Sequence, residues 1–167
     1  TIGDSVNMSI GQGFLLVTPL QITKMMCMLV NGGFSVTPHF YSSEQNIIFK
    51  KVPILESHQK IILKSMNSVV NDEFGTAFKS RLKNPFSMGG KTASSQVSRI
   101  TMKQRELGTV NKRESRLKEH SMFSGYGNVD DPNFVVTVIV ENGGGGAAVA
   151  APISSKIIKS SLEILSS

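Results

Sequence analysis

The sequence predicts an α+β fold, an antiparallel sheet of three strands packed with helices. Three observations carry it. Apolar residues recur at helical spacing through much of residues 1–85, whereas residues 86–167 open on β-branched and hydroxyl-rich runs. Phe134–Val140 is almost continuously apolar and β-branched, which suits a strand covered on both faces. Ile153, Ile157, Ile158, Leu162 and Leu165 form the stripe of one last helix. The three strands follow one another without alternating helices, so a meander is expected.

At 167 residues the chain is one domain, long enough to bury a core. With 40% apolar and 18% charged residues, disorder and collagen-like repeats are excluded. The lone Cys27 cannot form an internal disulfide. Cys27, His39, His58 and His120 have no metal-ligand spacing, and no metal or cofactor is expected. The longest apolar run, Met25–Val30, falls far short of the roughly 20 residues that span a membrane. The start lacks a basic-then-apolar signal pattern. The chain is therefore expected to be soluble as written, with any export signal or anchor upstream of Thr1.

The net charge is +6, and the excess is local. Arg99, Lys103, Arg105, Lys112, Arg113, Arg116 and Lys118 face only Glu106 and Glu114 in that stretch. Such a segment can attract nucleic acid or an anionic membrane. It contains no aromatic residue to stack on bases, so a solvated loop is expected and a nucleic-acid partner is not.

Each element has its own signal. Thr18-Pro19-Leu20-Gln21 reads as a capping box with proline at the first helical position; the helix runs to about Asn31 and stops at Gly32-Gly33. Its apolar residues cover most of its circumference, so burial on several sides is expected, with Cys27 an inert buried thiol. Phe34–Phe40 reads as extended or strand-like, and a helix follows from Ser57, its N-cap, to Asn71. A short helix is expected over Thr76–Leu82. Strands are expected over Lys91–Val97, His120–Tyr126 and Asn133–Glu141, with Gly143–Gly146 a flexible break before the last helix, which Pro152 starts or kinks.

Met88-Gly89-Gly90-Lys91-Thr92-Ala93-Ser94-Ser95 is the chemical centre. A phosphate loop is excluded: Pro85 stands where its first glycine is required, and a strand rather than a helix follows. The other reading is the Lys-Thr-Gly strand of penicillin-binding proteins and β-lactamases. A strand lining a cleft presents an ammonium, hydroxyls and a backbone N–H along one edge. Those groups suit a carboxylate and a developing oxyanion.

Further landmarks occur in the same order. Asp4, Ile10-Gly11-Gln12-Gly13, Thr18-Pro19-Leu20-Gln21, Val70-Asn71-Asp72 with Gly75-Thr76-Ala77, and Gly90–Val97 lead the series. Ser98–Thr101, His120–Tyr126, Val140-Glu141-Asn142, Gly143–Gly146 and Ala150–Ile153 continue it. Together they resemble class B penicillin-binding proteins, closest to the elongation-type class, penicillin-binding protein 2. The resemblance implies the C-terminal portion of a transpeptidase domain, a partial serine β-lactamase/transpeptidase-like fold. It would be mainly helical over 1–85, with the meander and last helix over 86–167.

Several implications follow from the resemblance. The whole enzyme would cross-link peptidoglycan stem peptides through an acyl-serine intermediate that β-lactams also form. Lys91 and Ser94 would be catalytic, Lys91 by its charge beside the nucleophile and Ser94 through a backbone N–H in the oxyanion hole. Such a donor is typically worth roughly 3–4 kcal/mol at the transition state. Thr92, Ser94 and Ser95 would bind substrate. Partners would be the rest of the domain and membrane-bound elongation proteins, at the periplasmic face of the inner membrane.

The family's Ser-x-x-Lys nucleophile and Ser-x-Asn element lie upstream of the matched strand. Ser57-x-x-Lys60, Ser80-x-x-Lys83, Ser115-x-x-Lys118, Ser5-Val6-Asn7 and Ser65-Met66-Asn67 match only by chance. Ser57 stands too close to Lys91 in sequence for a helical lobe to intervene. The portion alone is expected to be inactive; the alternative is a non-catalytic remnant or partner-binding fragment. Ala93, where the family has glycine, favours that alternative, because its methyl is expected to crowd substrate or the neighbouring strand. The apolar strand 134–140 is expected to be an unpartnered edge.

Overall fold

The computed structural model describes residues 2–12, 15–40, 50–97, 102–108, 116 and 118–166. A first helix, α1 (Ile2–Ser9), has no counterpart in the sequence reading; it buries no residue, and Ile2 is 87% exposed. Helix α2 (Pro19–Val30) begins on the expected capping box. Gln21 N donates to Thr18 Oγ1 at 3.2 Å, and Thr18 N donates to Gln21 Oε1 at 2.8 Å. Gly32 and Gly33 then turn the chain at φ 85° and 93°. Burial on several sides is not what the helix shows. Met26 alone is buried, and Leu20 and Met25 are exposed. Cys27 is only partly buried, and that burial raises its thiol pKa.

The strand expected over Phe34–Phe40 reduces to one antiparallel bridge between Phe34 and Lys51. The Asn31 amide takes both backbone groups of Phe34, at 2.8 and 2.9 Å, and holds it as a turn. Helix α3 (Glu56–Asn71) is capped by Leu55, not Ser57. Leu55 O already accepts from Gln59 N, so Ser57 lies inside the first turn and caps nothing. Glu56 and Lys60 pair at 2.6 Å, which lowers the Glu56 pKa. The helix expected over Thr76–Leu82 shortens to a 3-10 turn, Phe78–Ser80. Ala77 N is spent on Val69 O at 3.0 Å, and Arg81 is already extended with its guanidinium over the Phe78 ring.

Strands β1 (Met88–Ser95), β2 (His120–Gly127) and β3 (Phe134–Val140) form the antiparallel meander in the order β1-β2-β3. A short helix, α4 (Met102–Glu106), lies between β1 and β2 in sequence. Strand β1 starts three residues earlier than expected and stops at Ser95. Gly89 and Gly90 belong to it because aromatic rings lie on them. A Cβ on Gly89 would stand 2.5 Å from the Tyr126 ring, and one on Gly90 would meet Phe123. Helix α5 (Ala150–Leu165) closes the fold with Pro152 in its first turn, so the proline starts the helix rather than kinking it.

The pleat sends alternate side chains to two cores. On one face Met88 and Phe123 pack with Val70, Ala77, Ala151, Ile158 and Leu162. On the other Tyr126 packs with Met26 and Met66 and donates to Leu63 O at 3.3 Å. Strand β3 meets α5 and α2, so it is covered from both sides, and it is an edge strand among the described residues. No helix among them is long and apolar enough to cross a membrane. Of the basic stretch, residues 102–108, Arg116 and Lys118 fall within the described residues.

Candidate functional site

Strand β1 divides into two halves. Met88, Gly89 and Gly90 are buried; Lys91, Ala93, Ser94 and Ser95 are exposed, and Thr92 is half-buried. The division follows from α3, which packs against β1 and whose side chains enter both cores. Asn71 Nδ2 donates to Met88 O at 3.0 Å and to Asn67 Oδ1 at 2.6 Å, fixing helix to strand. Beyond that contact the strand emerges. Only β2 pairs with it among the described residues, so its other edge carries no strand.

The pleat sorts the candidate residues. Thr92 and Ser94 share the face of Met88 and Phe123; Lys91, Ala93 and Ser95 share the other. Thr92 Oγ1 lies 3.0 Å from Thr76 Oγ1, in the turn that follows α3. Ser94 Oγ accepts from Gly146 N at 3.3 Å. Lys91 Nζ donates back to Thr92 O at 2.8 Å. Thr92 and Ser94 thus come together on one face of the exposed half of β1, whereas Lys91 and Ser95 start from the other face, and Lys91 Nζ reaches the strand edge only at Thr92 O. Ala93 pairs with Met122, and the β1–β2 ladder runs unbroken through this position.

Gly143–Gly146 is a strap rather than a flexible break. Gly144 N donates to Glu119 O at 2.8 Å, and Ser121 Oγ donates to Gly145 O at 3.1 Å. Ser121 Oγ in turn accepts from Ala150 N at 3.0 Å, which ties the strap to the start of α5. A Cβ on Gly146 would collide with Ala93 O and Met122 O, so only glycine lets the chain cross there. The run of four glycines was the available signal, but flexibility and close approach give the same composition.

The chance matches do not make a second site. Lys60 pairs with Glu56 beside exposed Ser57. Ser80 Oγ is buried, with no hydrogen-bond partner among the described residues. Met66, between Ser65 and Asn67, sits in the core. Ser115 and Ser98–Thr101 lie outside the described residues. Among the described residues no cluster of His, Cys, Asp or Glu could hold a metal.

Residues 3–159 match the family model of the penicillin binding protein transpeptidase domain. The chain is 32% identical over 169 residues to peptidoglycan D,D-transpeptidase MrdA of Haemophilus influenzae, covering 93% of this chain and 25% of that protein. It is 30% identical over 150 residues to MrdA of Escherichia coli K12, covering 83% of this chain and 23% of that protein. The chain thus spans about a quarter of the length of these curated relatives. Penicillin-binding protein PBP2 of Helicobacter pylori, solved in complex with MreC, has a similar fold. The TM-score is 0.78 at 24% identity, over 99% of this chain and 28% of that one. PBP2 of Pseudomonas aeruginosa, in complex with WCK 5153, gives 0.75 at 24% identity, over 96% of this chain and 34% of that one. With residues 3–159 of its 167 matched by the family model, the chain belongs to the penicillin-binding protein transpeptidase domain family.

Proposed function

We propose that this chain is the C-terminal, substrate-binding part of a peptidoglycan D,D-transpeptidase. One observation carries the reading: β1 leaves the core at Lys91 and presents an ammonium and two hydroxyls along an unpaired edge. The Thr92 and Ser94 hydroxyls, on one face of the strand, hold the terminal carboxylate of a D-Ala-D-Ala peptide or the carboxylate of a β-lactam. A charge-assisted hydrogen bond is worth more than a neutral one, which favours the anionic ligand. The Ser94 backbone N–H supplies half of an oxyanion hole. Lys91 swings off Thr92 O to put positive charge beside the nucleophile. Ser95, on the face of Lys91 but farther along the strand and away from the two hydroxyls, contributes less.

The nucleophilic serine and its lysine base come from the upstream part of the domain. Acyl transfer then runs from substrate carbonyl to that serine, with the terminal D-alanine leaving, and from the serine to an acceptor amine. The complex named for the Helicobacter pylori relative makes a membrane-bound MreC-type elongation protein a fitting partner, at the periplasmic face of the inner membrane.

The test is a chimera in which this chain replaces the matching quarter of Haemophilus influenzae MrdA. A covalent adduct with fluorescent penicillin is expected. A second reading, a non-catalytic remnant, is favoured by Ala93. Under it a chimera that melts cooperatively takes no label, and Ala93→Gly restores it.

A further inference from the structure

Three consecutive residues where β2 begins hold the glycine strap that reaches Ser94. Glu119 O accepts from Gly144 N at 2.8 Å, and Ser121 Oγ donates to Gly145 O at 3.1 Å. Between them, His120 Nδ1 accepts from Asn142 N at 3.0 Å. The strap starts at Asn142, which turns at φ 54°, a left-handed conformation uncommon outside glycine. With its amide nitrogen turned to face acceptors, Asn142 Nδ2 donates to Arg116 O at 3.1 Å and Lys118 O at 3.2 Å. The strap ends on the candidate site, where Gly146 N donates to Ser94 Oγ at 3.3 Å. That bond occupies a lone pair of Ser94 Oγ and leaves the hydroxyl proton to a ligand.

Of these three holders, His120 is the one whose bonding atom titrates. A backbone N–H can only donate, so Nδ1 carries the lone pair and the ring proton sits on Nε2. Glu119 gives the strap a main-chain oxygen and Ser121 a hydroxyl. A second proton on the imidazole turns Nδ1 into a donor and sets two N–H groups against each other. His120 pairs with Ser95, on the face of β1 whose charged residue is Lys91. Lys118 and Glu119 precede it on its own segment, and Glu141 follows β3 beside Asn142. Helix α2, which packs from that face with Met26 against Tyr126, carries Lys24 as its one charge. Helix α5, with Lys156, Lys159 and Glu163, packs on the opposite face.

The geometry points to His120 as a positioning residue for acyl transfer, latching the strap and through it the Ser94 hydroxyl only while its imidazole is neutral. The inference rests on the transpeptidase reading of β1. With the imidazole neutral, the strap is held and Ser94 offers its proton to the ligand carboxylate. As the pH falls through the imidazole range, roughly 8 to 5, the latch opens and capture of the carboxylate weakens.

Two measurements on the MrdA chimera separate the latch from the reading beneath it. Penicillin labelling reports the transpeptidase reading. Hydrogen exchange of the Asn142, Gly143, Gly144 and Gly146 amides, corrected for intrinsic rates, reports the latch without any reaction. Protection of these amides is expected to fall about fivefold between about pH 7.5 and about pH 5.5, the net worth of one hydrogen bond. The second-order labelling rate is expected to fall by the same factor beyond any fall in His120→Asn. That variant keeps an acceptor, because Asn Oδ1 and His Nδ1 are both bonded to Cγ, and it does not titrate; its protection is expected to be equal at the two pH values. His120→Leu, which has no acceptor, is expected to show the low-pH protection at both, with cooperative melting retained. Protection that ignores pH in the unaltered chimera, or falls equally in His120→Asn, overturns the latch whatever the labelling shows. Protection that falls while the two labelling profiles stay parallel overturns the link to Ser94. Absent labelling with pH-dependent protection that His120→Asn abolishes overturns the transpeptidase reading and leaves the latch standing.

Discussion

Gly146 N donates to Ser94 Oγ at 3.3 Å across 52 residues of sequence. The contact joins the strap before α5 to the strand that carries the candidate site. It orients one of the two hydroxyls assigned to substrate, and it exists because position 146 has no side chain.

Gly146→Ala is expected to destabilise the chain by about 1–3 kcal/mol, the usual cost of overpacking. The added methyl would meet Ala93 O and Met122 O, which are backbone atoms and cannot swing aside. Gly145→Ala is the control. Nothing lies within 4 Å of its Cβ, so its effect is expected to stay within about 0.5 kcal/mol. Urea melts of the two variants check the contrast.

The two helix starts also separate. Thr18→Ala removes a capping hydrogen bond and is expected to cost about 1 kcal/mol. Ser57→Ala removes no cap and is expected to change stability by less than about 0.5 kcal/mol. Equal losses in thermal or denaturant melts would contradict the assignment of Leu55 as the α3 cap.

Tyr126 gives a pH dependence with a definite sign. Burial raises its phenol pKa above the ordinary value of 10.0. The unfolded chain therefore loses this proton first as the pH rises. The contribution of neutral Tyr126 is fully present below pH 10 and is lost as the pH passes upward through the folded-state value. An ultraviolet titration is expected to show one phenol ionising late. Tyr126→Phe is expected to remove that late step and flatten the alkaline fall in stability.

Local signals were legible where they act within a few residues. The Thr18–Gln21 capping box and the β-branched run of β3 formed as read, whereas of the α5 stripe only Ile158 and Leu162 are buried; Ile153, Ile157 and Leu165 are exposed, and Ala150, Ala151 and Ser154 complete the buried face. Ser57 misled because serine at a helix start reads as a cap, whereas the extended Leu55 already supplied the first acceptor. Gly89 and Gly90 read as a break before the strand, yet two aromatic rings from β2 need their missing side chains. That reason lies more than 30 residues away in sequence. That Lys91, Thr92 and Ser94 lie on a strand was legible from the motif. The roles of Asn71, Thr76 and Gly146 were not, because each acts through a contact between distant segments.

The most direct measurement is the rate of penicillin acylation of the MrdA chimera with Lys91 intact and with Lys91→Ala. The intact chimera is expected to acquire a covalent label, and the variant to acquire it about 100-fold more slowly, as the loss of one preorganised charge at the reacting centre requires. Equal rates, or a cooperatively melting chimera that neither takes label nor gains it on Ala93→Gly, would contradict the assignment of β1 as the substrate-binding strand.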